Sequence, residues 1–110
     1  MQIPIQITLQ GIGPSDAIHN AIRERAEKLA RFYDRITSCR VVLELDSLRK
    51  RHGKQFSAHI DLKIPGGEIA VTRAHDEDVH VALREAFDAA RRQLGAYARA
   101  QRMEGKRPPA

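Results

Sequence analysis

Residues 76–94 read Asp-Glu-Asp-Val-His-Val-Ala-Leu-Arg-Glu-Ala-Phe-Asp-Ala-Ala-Arg-Arg-Gln-Leu. Three acids open the stretch, and its end is basic. The apolar residues Val79, Leu83, Ala86, Phe87, Ala90 and Leu94 recur every three or four positions, which draws one apolar stripe along a helix. Acids at the start and arginines towards the end suit the helix dipole. The stripe requires a sheet or another helix beneath it, and the arginines on the other side require a partner.

Upstream of that helix the pattern changes period. Ile3, Ile5, Ile7 and Leu9 alternate with Gln2, Gln6, Thr8 and Gln10, as in a half-buried strand. Pro4 donates no N–H, so it belongs on an edge strand or at a strand's first residues. Gly11-Ile12-Gly13-Pro14 ends the strand, and Ser15 reads as a helix N-cap with Asp16 in the first turn. Ile18, Ile22, Ala26, Leu29 and Tyr33 or Phe32 form the stripe of a first helix ending near Asp34. Cys39–Leu48 predicts a second strand with Val41, Leu43 and Leu45 inward. Phe56, Ala58, Ile60, Leu62 and Ile64 alternate with polar residues in a third. Pro65-Gly66-Gly67 marks a hairpin turn into a fourth strand over Glu68–Arg73. The second helix is predicted from about Glu77 to about Met103, its last third loosened by Gly95.

The order is β-α-β-β-β-α, an α+β fold. A helix between the first two strands allows them to be parallel through a right-handed crossover, and the rest is an antiparallel meander. One apolar stripe per helix and one apolar face per strand predict a four-stranded mixed sheet with both helices packed on one face. Residues 1–103 form the expected domain and 104–110 a disordered tail.

The bulk composition narrows the chemistry. A chain of 110 residues is one domain. No apolar run reaches the roughly 18 residues of a membrane span, and no basic-then-apolar leader is visible. Cys39 is the single cysteine, so no internal disulfide is available, and a cytoplasmic location is expected. The net charge is +5, and fourteen of the nineteen cationic residues are arginine, whose planar fork matches phosphate. Arg49, Lys50, Arg51 and Lys54 cluster without an acid, and Ala89–Met103 holds four arginines and no acid.

No catalytic chemistry stands out. There is no Gly-x-Ser-x-Gly, no phosphate-binding Gly-x-x-x-x-Gly-Lys, and no histidine patterned beside Cys39. His75 and His80 flank Asp76, Glu77 and Asp78, but that spacing crosses a helix start, where acids suit the dipole. Neither a metal site, a cofactor, a catalytic residue nor a small-molecule substrate is expected. The arginines carry the functional reading. Arg84, Arg91 and Arg102 fall near one azimuth of the second helix with Arg92 and Arg99 flanking, and Arg25, Lys28 and Arg31 are spaced by three on the first. Acids at Glu24, Glu27, Glu85 and Asp88 allow the alternative of a solvated face with i, i+4 pairs. Two helices on one sheet face would set the cationic rows side by side, a basic groove for phosphates. Phe32, Phe56 and Phe87 take core-like positions, so stacking platforms for bases are expected to be scarce.

Lys28-Leu-Ala-Arg-Phe-Tyr-Asp-Arg-Ile36, Ile64-Pro-Gly-Gly-Glu-Ile69, His75-Asp-Glu-Asp-Val-His-Val-Ala-Leu83 and Asp88-Ala-Ala-Arg-Arg-Gln-Leu94 follow one another in order. Together they resemble the ribosome hibernation promoting factor family, also called ribosome-associated inhibitor or sigma-54 modulation proteins, in its short type. The resemblance implies a domain shaped like double-stranded-RNA-binding domains. It implies a non-enzymatic translation inhibitor that binds the small ribosomal subunit (16S rRNA) in the decoding channel. There it would overlap the mRNA and tRNA sites when growth slows. It carries the family's basic helix positions onto Arg25, Lys28, Arg31 and Arg92. His80 stands where the family usually has Tyr, and Ala89 and Ala96 where it has Lys. Arg84, Arg91 and Arg99 are expected to supply the missing charge, and the free chain is expected to be a monomer. Two other readings are a general structured-RNA-binding module and a protein-interaction modulator of a transcription factor.

Overall fold

Alternating apolar residues at period two in four segments, and at period 3.6 in two, produce the order β1 (Ile5–Gln10), α1 (Asp16–Phe32), β2 (Ser38–Asp46), β3 (Gln55–Ile64), β4 (Gly67–His75) and α2 (Val79–Gly105). This computed structural model describes residues 3–46, 55–75 and 78–105. The sheet order is β1-β2-β3-β4, with β1 parallel to β2 and the other pairs antiparallel. The α+β architecture and mixed sheet are those read from the sequence. The basic cluster Arg49, Lys50, Arg51 and Lys54, the acids Asp76 and Glu77, and residues 106–110 of the expected tail lie outside the described residues.

Register sorts the strand residues onto two faces. Ile7, Val41, Ile60 and Val71 stand in one cross-strand row, and Ile5, Cys39, Leu62 and Ile69 in the next. These rows face the helices: Val41, Ile60 and Leu62 are fully buried, together with Ile22 of α1 and Leu83 and Leu94 of α2. A third row, Leu9, Leu43, Ala58 and Arg73, ends on a charge at the β4 edge. The opposite face carries Thr8, Val42, His59 and Thr72 in one row and Gln6, Arg40, Asp61 and Ala70 in another.

Local chemistry sets the boundaries. Ser15 caps α1 by accepting the Ile18 N–H at 3.2 Å. The helix stops at Phe32, two residues before the Asp34 expected, because Tyr33 is extended while its N–H still bonds the Leu29 carbonyl. The inward slot goes to Tyr33, which packs on the core, whereas Phe32 is 46 % exposed; the expectation of a core-like Phe32 is corrected on that point. Asp78 sits ahead of α2 and accepts the His80 N–H at 2.8 Å. The helix runs unbroken through Gly95 to Gly105, past the Met103 expected. Beyond Leu94 it is tied down by Tyr97, which donates to the Pro65 carbonyl in the β3–β4 turn at 2.7 Å and meets Tyr33 edge-on at 6.4 Å.

Two positions give direct tests of the packing. Gly11 follows β1 at φ +71, and a Cβ there would lie 2.8 Å from the Leu45 carbonyl oxygen. A left-handed conformation already costs an L-residue ~1–2 kcal/mol. Gly11→Ala is therefore expected to destabilise the fold by about 2 kcal/mol in urea denaturation. Burial, aided by the nearby Asp61 carboxylate, pushes the Cys39 thiol up from 9.0 to about 12. The thiol stays protonated in the folded chain while the unfolded chain ionises it above about pH 9. The unfolded state then binds fewer protons, so stability should fall as pH rises from about 9 towards 12. Cys39→Ala should flatten that decline, and thiol reagents should label the native protein only as fast as it unfolds.

Candidate nucleic-acid interface

The apolar stripe of α2 includes Leu83, Ala86, Phe87, Ala90 and Leu94, and Ala82 and Ala89 are buried beside them. Small side chains at those positions let the helix lie close to β3 and β4. Once that arc is down, the residues at 84, 88, 91, 95, 99 and 102 are carried along the side next to α1 by helical geometry. On α1 the buried set Ile18, Ile22, Ala26 and Leu29 turns Arg25, Lys28 and Arg31 the same way.

The result is a groove of about 470 Å³ between the helices, lined by Arg25, Lys28, Arg31 and Arg91 with Phe32 and Phe87 as its apolar floor. Two further hollows continue it: one lined by Arg91, Arg92 and Arg99, the other by Arg35, Arg99 and Arg102. Phe32 lines all three. Residues early in α1 meet residues early in the shared stretch of α2, and later ones meet later ones; the helices thus run parallel. Their C-terminal ends, negative in dipole, lie beside Arg31, Arg35, Arg99 and Arg102.

Seven of the eight cations expected from sequence thus line one connected surface, namely Arg25, Lys28, Arg31, Arg91, Arg92, Arg99 and Arg102. Arg84 is exposed one turn before Asp88 and lies outside the three hollows. Neutralisation is slight. Among the described residues Asp88 is the single acid on the walls of the three hollows, and Lys28 meets Glu24 at 3.7 Å with both side chains about two-thirds exposed, a pair worth little. Ala89 is 2 % exposed, so it offers no room for surface charge; Ala96 is exposed.

Sequence reading missed two groove residues. Arg35 lies just past the helix end, outside any 3.6-residue periodicity, and its only signal was the run of cations at 28, 31 and 35. Phe32 competed with Tyr33 for one slot, and only packing decides between neighbours. On the sheet's open face, His59 Nδ1 and Thr72 Oγ1 are 2.7 Å apart, and His59 Nε2 lies 3.0 Å from Asp61 Oδ2. That trio ties β3 to β4. Among the described residues no group of three or more His, Cys, Asp and Glu is placed to hold a metal, and no helix is long and apolar enough to cross a membrane.

The β-α-β-β-β-α sheet with its two helices is a fold that known proteins share. Residues 5–102 match the model of the sigma 54 modulation protein / S30EA ribosomal protein family. The chain belongs to that family. A ribosome hibernation promoting factor of Azotobacter vinelandii is 29 % identical over 108 residues, 94 % of each chain. A ribosome hibernation promotion factor of Deinococcus radiodurans is also 29 % identical, over 99 % of this chain, which spans 57 % of that longer relative. Among solved structures, the N-terminal domain of Thermus thermophilus Protein Y superposes with a TM-score of 0.71 at 26 % identity, over 88 % of this chain and 99 % of its own. A ribosomal subunit interface protein of Coxiella burnetii shares the fold, with a TM-score of 0.75 over 87 % of this chain and 98 % of its own, at 20 % identity.

Gly95 borders the groove, where an added Cβ would meet the Arg99 guanidinium at 3.5 Å and Phe32 at 3.9 Å, ordinary contact distances. Glycine inside a helix costs about 1 kcal/mol against alanine. Gly95→Ala is therefore expected to stabilise the protein by roughly 0.5–1 kcal/mol in thermal or urea unfolding.

Proposed function

We propose that this chain is a ribosome-associated translation inhibitor that docks its helix face on 16S rRNA of the small subunit. It occupies the decoding channel during slow growth and blocks the mRNA and tRNA sites without chemical turnover. The observation that carries the reading is the scarcely neutralised groove of Arg25, Lys28, Arg31 and Arg91 between two rigid helices. Its continuation along Arg92, Arg99 and Arg102 adds phosphate contacts, and Arg84 extends the row towards the start of α2. Family membership and relatives named for ribosome hibernation support the same partner. The chemistry is counterion release: each phosphate neutralised by a fixed cation frees condensed salt ions. Arginine forks on helices already packed against a sheet lose little freedom on docking. The cytoplasm is the compartment this partner implies, and the free chain acts as a monomer.

Reversing charge in the groove tests this directly. Arg91 and Arg92 are both exposed, so Arg91→Glu with Arg92→Glu should leave the melting curve near wild type and abolish co-sedimentation with purified 30S subunits. Wild-type affinity should fall with salt at a log–log slope of about −5 to −7 for some six to eight phosphate contacts. Undiminished co-sedimentation of the double variant, or salt-independent binding, would remove the proposed surface. Equal affinity for a plain RNA duplex would point instead to a general structured-RNA module, and nuclease-resistant recovery of a protein partner without rRNA to a modulator of a transcription factor.

A further inference from the structure

Phe32 is the one exposed large hydrophobic side chain among the described residues, at 46 %. Its place is unusual for an unburied ring. The Arg91 guanidinium lies over it at 4.8 Å from the centroid, and the ring borders all three basic hollows, sharing them with Arg25, Lys28, Arg31, Arg35, Arg92 and Arg99. Across the groove, Gly95 offers no side chain to cover it; an added Cβ there would come within 3.9 Å of the ring. Tyr33 and Tyr97 engage each other and the core, and neither competes for Phe32.

An apolar ring surrounded by cations does not suit a greasy partner, because docking one would strip water from the guanidinium groups without pairing them. It does suit a ligand with a flat π-face and an adjacent anion. We infer that Phe32 and Arg91 form a stacking platform for one unpaired nucleobase, whose flanking phosphates are held by Lys28, Arg92 and Arg99. This rests on the RNA-binding reading above and deepens it: the face grips folded RNA by charge and also captures a base that has left its helix. Aromatic rings and guanidinium planes both stack bases, and in the free protein the guanidinium holds the position over the ring that the base takes or extends. Capture of this kind is blind to base identity, since every base has a π-face. It nonetheless distinguishes looped or bulged RNA from a closed duplex.

The chain contains no tryptophan, so Phe32→Trp introduces a sole indole reporter at the platform. Unstructured single-stranded RNA should quench that indole, whereas inorganic polyphosphate, which brings charge without bases, should bind and leave its emission unchanged. Phe32→Leu keeps the apolar contact and removes the π-face. It should weaken single-stranded RNA binding about tenfold and duplex binding far less, with the melting temperature of wild type. Wild-type affinity of Phe32→Leu for single-stranded RNA, or equal quenching by polyphosphate, overturns the platform while leaving the charged docking face standing. Loss of all RNA and 30S binding in the wild-type chain itself overturns both.

Discussion

Everything on the helix face depends on how α2 seats across β3 and β4. The helix is rigid at 3.6 residues per turn, so committing one arc to the sheet commits the rest of its surface. Leu83, Phe87 and Leu94 supply the apolar area, and Ala82, Ala86, Ala89 and Ala90 are all nearly inaccessible, which brings backbone and sheet close together. Rotating the helix by one residue towards α1's side would lift Ala82 and Ala89 out and bury Arg84 and Arg91 instead, at the cost of unpaired buried charge. The same packing that closes the core therefore aims the arginines over α1. Tyr97 then pins the far end of the helix to the β3–β4 turn, which keeps the last basic turns in line with the earlier ones.

Collecting cations on one side opposes folding through self-repulsion, and the molecule offsets this only in part. Asp88 interrupts the row, Arg91 spreads its charge over the Phe32 ring, and the parallel helices present the negative ends of their dipoles to Arg31, Arg35, Arg99 and Arg102. That arrangement suits a surface whose counter-charges are to come from a partner. It also separates the two faces of the sheet by role. The open face is tied together by short polar contacts such as His59 with Thr72 and Asp61, while the helix face holds its charge ready.

Much of this was legible from pattern. Ser15 as a cap, the alternation in β3, the glycine turn and the two apolar stripes each have a local physical cause, and each appears where that cause puts it. The cations off those stripes were legible too, because a residue 180° from a buried one has to face water or a partner. What resisted reading were choices between neighbours and events past an element's end. Phe32 and Tyr33 are both aromatic and adjacent; the extended backbone at residue 33 turns one inward and leaves the other in the groove. Arg35 belongs to no periodic element. Gly95, which weakens an isolated helix, is carried through because tertiary contacts on both sides of it hold α2 helical.

By itself the sequence determined the element order, the inward residues of each strand and helix, and the sign of the outward face, because those follow from periodicity, capping and charge within a few residues. Only the tertiary structure decided that the two cationic rows share one groove, that Asp88 stands among them, that Arg84 falls outside the hollows, and that an aromatic ring lies open between the rows. These depend on the rotation of each helix against the sheet and on their parallel course past one another, quantities set by packing between residues far apart in the chain.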